Sequence, residues 1–231
     1  MGAFRFPQRK NEGHECYIRS MKTLLHQRFD AVLRDRQLLE HPFYRRWEAG
    51  QLSRDELRDY AQQYRHFEAM LPGFLRRLSD SLAPGPARNL VEANWRDEVT
   101  APSHLELFDR FADFYGATNT EMTAATQGLL DAYAEVLERD SVAALAGLLA
   151  YESQGAAIAD SKAEGLIDHY GASEAAASFW VEHGSIEGDH ATWTFDALAS
   201  LEPDVTEVER AARLVGDAWW SFLDERELQA A

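Results

Sequence analysis

Two imidazoles and a carboxylate recur at helical spacing between Glu182 and His190: His183, Glu187 and His190. At i, i+4 and i+7 on an α-helix, the three side chains leave one face together. They make half of a coordination sphere suited to iron, manganese or zinc. The inner pair, Glu187 and His190 at i, i+3, is the arrangement with which helix bundles hold paired iron or manganese ions. A site of that kind needs roughly four carboxylates and at least two imidazoles from facing helices. The question is which elements could supply the rest.

Apolar residues recur with helical period almost throughout the chain. Leu24, Leu25, Phe29, Val32 and Leu33 mark a first helix. Pro42 breaks the chain before Phe43, Tyr44 and Trp47. Ser53 and Glu56 form a capping box that opens a long helix to about Leu78. Pro84-Gly85-Pro86 separates it from a helix running through Asn89 to Glu98. Further helices are expected from Pro102 to Gly116, from Thr120 to Arg139, over 141–155 and over 156–169. The His183 stripe lies on a helix of about 174–199, stopped by Pro203, and a last helix covers about 205–227. No segment alternates with period two, so no sheet is expected. The reading is an all-α bundle of seven to nine helices in one domain, 18–231, behind a loose leader at 1–17.

Composition narrows the function classes. The 231 residues are 45% hydrophobic and 11% aromatic, which excludes a disordered chain. The formal charge, 23 − 39 = −16, disfavours nucleic acid and anionic membranes as partners. Cys16 is the single cysteine, so no disulfide framework exists and the reducing cytoplasm is the expected compartment. The N-terminus lacks an apolar signal core, and Phe6 stands where a myristoylation signal needs Ser or Thr.

Two further segments could complete a metal site. Glu98 ends one helix and His104 begins the next, with a corner at Ala101-Pro102 that would turn both inward. Alternatively they are an exposed carboxylate and a helix-start histidine bonded to backbone. Glu152 follows an uncharged run from Ser141 to Tyr151, so its surroundings should be buried. A buried carboxylate needs a metal, a donor or a cation, and Lys162 is the alternative partner. His14, His26, His41, His66 and His169 have no partner at ligand spacing and read as surface or hydrogen-bonded histidines. Trp219-Trp220 reads as core.

The segments His41 to Trp47, Asn94 to Phe111, Tyr151 to Gln154, and His183-x3-Glu187-x2-His190 occur in order. Together they resemble the haem-oxygenase-like di-metal oxidases, and within these the para-aminobenzoate synthase group typified by the chlamydial death-domain-associating protein. The likeness runs from about residue 37 to residue 193. The resemblance implies six metal ligands: Glu98, His104, Glu152, His183, Glu187 and His190. It implies two iron ions, or iron with manganese, working with O₂ and an external reductant. It also implies that Tyr44 is consumed as the source of the aromatic ring, with Tyr60 beside it and Lys162 as amino donor. This chain departs from the group in three places: Glu187 replaces an aspartate, the Glu98–His104 loop is one residue short, and Phe179 replaces a tyrosine. A same-fold oxidase acting on an external amino acid or fatty acid shares the ligands without needing Tyr44 or Lys162. The thiaminase-II branch needs a pocket cysteine, whereas Cys16 lies in the leader. A non-catalytic helical interaction protein is the remaining class, and a homodimer is compatible with any of these.

Overall fold

Ser53 and Glu56 close the expected capping box: the Glu56 amide donates to the Ser53 hydroxyl (3.2 Å) and the Ser53 amide to the Glu56 carboxylate (2.7 Å). The helix opened this way, α3, runs Arg54–Ser81. The computed structural model describes residues 9–229, with side chains from 18 to 228. In these residues the chain forms nine α-helices and no strand. Besides α3 they are α1 (Arg9–Val32), α2 (Pro42–Glu48), α4 (Pro86–Val99), α5 (His104–Tyr115), α6 (Ala124–Arg139), α7 (Ser141–Asp168), α8 (Glu174–Ser200) and α9 (Val205–Gln229). Two short 3₁₀ turns, Arg34–Arg36 and Leu38–Glu40, lead into α2. Helix α1 begins at Arg9, within the stretch expected as a leader, and residues 1–8 lie outside the described part. The side chains of His14 and Cys16 lie outside it as well.

Local chemistry sets most of the boundaries. Pro86 occupies the first turn of α4, where its missing N–H costs nothing. Gly116 ends α5 in the left-handed conformation (φ 74°) that a glycine adopts without a Cβ clash. The expectation of two helices over 141–155 and 156–169 is corrected: one helix, α7, spans the whole stretch. Gly155 does not break it, because a lone glycine in a helix costs only about 1 kcal/mol. The buried face of α7 continues past that point through Ile158, Ala159, Lys162, Ala163 and Leu166.

Helix α7 lies along α8 and α9, and α8 also packs on α4 and α5. By length and composition α7 could cross a membrane, but 72% of its apolar window is buried inside the protein, which marks a core helix. Trp219 is wholly buried and donates its indole N–H to the Tyr133 hydroxyl at 3.0 Å. Trp220 is only half-buried, beneath the Arg36 guanidinium. His41 caps α2, taking the Phe43 amide on Nδ1 and meeting Asp224 at 3.1 Å through Nε2. His66 bonds the Thr120 carbonyl. Neither is free to ligate.

Candidate metal centre

Helix α8 is capped by Ser173, whose hydroxyl accepts from the Ala176 amide. It carries His183, Glu187 and His190 on its inward face, all buried. Nδ1 of His183 lies 2.8 Å from the Phe179 carbonyl. That carbonyl can only accept, so Nδ1 carries the hydrogen and Nε2 keeps the lone pair. Burial, and the neighbouring imidazoles of His104 and His190, hold His183 well below the usual imidazole range, in the neutral form a metal requires. His190 turns Nε2 toward Asp97 at 3.3 Å, which leaves Nδ1 for the interior. A carboxylate behind a ligating imidazole fixes ring orientation and raises basicity.

The α4–α5 corner brings Glu98 and His104 inward, so both are buried, at 2% and 4% exposure, and the exposed alternative falls. A second capping box, Ser103 with Glu106, starts α5 one residue before His104 and fixes its direction. Oε2 of Glu98 and Nδ1 of His104 are 2.8 Å apart, yet each is without a hydrogen-bond partner. Two acceptor atoms so placed are arranged as ligands converging on one cation. Glu98, His104 and His183 each offer a ligand atom within 4.8 Å of the others.

Glu152 comes from α7 and is buried. Its Oε1 accepts from Asn94 at 2.7 Å, while Oε2 has no partner. Lys162 does not pair with it but turns into the aromatic cluster described below. Glu187 leans over Gly155 of α7: a Cβ there would meet Glu187 Oε2 at 2.8 Å and Cδ at 3.0 Å. The longer carboxylate on α8 thus depends on the missing side chain on α7.

Glu98, Glu152, Glu187 and His183 line one cavity of about 10 Å³, together with Glu68 of α3. Burial and mutual repulsion push Glu187 well above the usual carboxylate range, and burial raises Glu68 and Glu152 as well. All four carboxylates have an Oε2 that is buried and unpartnered. Each such oxygen costs several kcal/mol unless a cation is near. Oxygen and imidazole donors converging on a closed space fit iron or manganese. Outside the cavity, a hollow of about 250 Å³ bordered by Asp97, Glu182 and His104 opens to solvent.

Next to the cavity lies an aromatic box. Tyr44, Tyr60 and Lys162 are buried together there. The Tyr44 and Tyr60 hydroxyls are 2.9 Å apart, and Lys162 Nζ donates to Tyr60 at 2.5 Å. The amine sits 4.5 Å from the Tyr44 ring and 3.9 Å from that of Trp180. Burial holds Lys162 well below the usual lysine range and pushes the Tyr44 and Tyr60 phenols above theirs. Tyr64 and Tyr151 join the two regions: their hydroxyls are 2.8 Å apart, and Tyr151 forms part of the cavity wall.

Residues 57–223 match a family described as iron-containing redox enzymes. The chain belongs to that family. As a member, it is an oxygen-dependent iron oxidoreductase with the haem-oxygenase-like all-α fold. Among its relatives is a 4-aminobenzoate synthase of Chlamydia muridarum, 30% identical, covering 84% of this chain and 86% of that one. Another 4-aminobenzoate synthase, from Nitrosomonas europaea, is 30% identical over 86% of this chain and 89% of its own. A TenA homolog from Pseudomonas syringae superposes with TM-score 0.78 at 13% identity, covering 88% of this chain and 93% of that one. A CADD-like protein of unknown function from Nostoc punctiforme gives 0.69 at 20% identity, covering 87% and 98%. Those two show the fold.

The structure gathers the six expected ligand positions into one buried cluster and the three expected reactive residues into a second. Sequence reasoning missed Glu68, Asp97 and the role of Asn94. Glu68 had a signal: it falls on the apolar stripe of α3 with Tyr60, Tyr64, Leu71 and Leu75, where a charge is out of place. Asp97 and Asn94 had none, since their partners lie on α8 and α7.

Proposed function

We propose that this iron-containing enzyme is a para-aminobenzoate synthase that takes the ring from its own Tyr44 and the nitrogen from Lys162. Glu98, His104 and His183 would hold one ion, and Glu152, Glu187 and His190 a second, as two irons or iron with manganese. With O₂ and an external reductant, the ion pair supplies the oxidising power for attack on an aromatic ring. The observation that carries the reading is the closed box in which the Lys162 amine lies 4.5 Å from the Tyr44 ring. The relatives named 4-aminobenzoate synthase, 30% identical over most of the chain, support it.

The chain's own groups divide the work. Desolvation pushes the Lys162 amine toward its neutral form, and only a neutral amine has the lone pair to attack carbon. Tyr60 holds both reactants, bonding the amine through its oxygen and the Tyr44 hydroxyl at 2.9 Å. The Tyr64 ring stacks on Tyr60, and its hydroxyl bonds that of Tyr151 in the cavity wall. Aromatic walls from Trp47 and Trp180 exclude water, which protects oxidised intermediates from side reactions. The single cysteine and acidic charge suit a cytoplasmic setting.

The test is para-aminobenzoate production after loading with ferrous iron, reductant and O₂, followed by intact-protein mass spectrometry. Wild type is expected to form product and lose mass at Tyr44 and Lys162, while Tyr44→Phe and Lys162→Arg form none. Product from either variant, or an unchanged chain mass with product present, sinks the self-sacrifice reading in favour of an external substrate.

A further inference from the structure

Helices α3, α4, α7 and α8 each send one glutamate to the same cavity, but the six-ligand set uses only three: Glu98, Glu152 and Glu187. Glu68 is the fourth. It is 2% exposed, and its Oε2 is buried with no hydrogen-bond partner among the described residues. We infer that Glu68 is a further metal-facing carboxylate, a seventh protein donor that completes the charge balance of a dinuclear centre. The inference rests on the proposed two-ion reading and adds a residue to it.

Charge decides between this role and a merely structural one. Two divalent ions bring four positive charges into a closed, low-dielectric space, and the three imidazoles are neutral as ligands. Glu98, Glu152 and Glu187 supply three negative charges, which leaves one positive charge uncompensated. Glu68 supplies the fourth. Lys162 does not pair with Glu68 instead: its Nζ donates to the Tyr60 hydroxyl and lies 3.9 Å from the Trp180 ring centre. Glu68 lines the same cavity as Glu98 and His183, and none of the described residues lining it is a lysine or arginine. One carboxylate from each of four helices is also how bundles surround paired ions elsewhere.

The test is anaerobic ferrous titration of the full-length protein, counting bound iron by equilibrium dialysis, beside thermal melts of iron-free and iron-loaded samples. Wild type should take up two equivalents. Glu68→Gln keeps shape and removes charge; it should weaken uptake of one equivalent at least tenfold and leave the iron-free melting temperature unchanged or higher. Glu68→Asp restores the charge on a shorter arm and should recover part of the affinity. Should Glu68→Gln aggregate, Glu68→Asp alone decides: weakened uptake of one ion supports the role, unchanged uptake overturns it. Two equivalents bound to Glu68→Gln at wild-type affinity, or a lowered iron-free melting temperature as the sole change, would overturn the inference while the six-ligand centre stands. A wild type that binds fewer than two equivalents overturns both.

Discussion

Glu187 and Gly155 show how one residue's chemistry is licensed by another on a neighbouring helix. The extra methylene of Glu187 relative to aspartate carries its carboxylate into space that a Cβ at position 155 would fill to within 2.8 Å. Contacts that close force one side to move. Gly155→Ala is therefore expected to displace Glu187 and reduce ferrous affinity about tenfold or more, of the order seen when the supports of a metal site are lost. The double variant Gly155→Ala with Glu187→Asp shortens the arm to match and should regain most of that affinity. Anaerobic iron titration of both checks the pair, and a double variant no better than the single one would show that the two positions are not coupled.

At the scale of elements, the α4–α5 corner matters most, because it converts two residues six apart in sequence into neighbours 2.8 Å apart. The start of α5 is set by the Ser103–Glu106 capping box, and His104 is the first residue after the cap. Loss of an N-cap hydroxyl costs about 1 kcal/mol. Ser103→Ala should lower unfolding stability by about that amount, measured by urea denaturation, and should also weaken iron binding because His104 loses its fixed direction. A change in stability with iron affinity untouched would mean that packing rather than the cap orients His104. Helix α7 makes the complementary point: it is continuous over Ser141–Asp168 and so holds Glu152 and Lys162 at a fixed separation, one facing the cavity and the other the aromatic box.

For the whole molecule, burying an amine and four carboxylates makes stability depend on pH and on metal. The folded-state value of Lys162 lies well below the ordinary lysine value of 10.5. The folded chain therefore binds fewer protons at this site than the unfolded chain between those two values. Stability present above the ordinary value is lost as pH falls through the folded one, with a limiting slope of about 1.4 kcal/mol per pH unit. Lys162→Met removes the group, so the stability of wild type minus variant should grow as pH rises from 7 toward 10, read from urea unfolding curves. Parallel pH profiles would show that the amine is charged in the fold.

Much of this protein is legible along the chain. Nearest-neighbour physics suffices for helix periodicity, the caps at Ser53 and Ser103, the glycine stop at Gly116, and the one-face stripe His183–Glu187–His190, because each involves residues within about two helical turns. Even the irregular Glu98-to-His104 spacing could be read as a corner, given Pro102. The reach of that reasoning ends where the partner lies on another helix. The chain reads as two helices meeting at 155 and 156, whereas packing makes Gly155 the clearance for Glu187 within one helix. Glu68 stands on an apolar stripe of α3 where a charge is out of place, and its burial among three other carboxylates gives it a role. Asp97 gained its meaning from His190, on α8. The chain by itself determined which donors exist and how each helix presents them; the tertiary structure decided which of them meet, because convergence on an ion depends on long-range packing that no local spacing encodes.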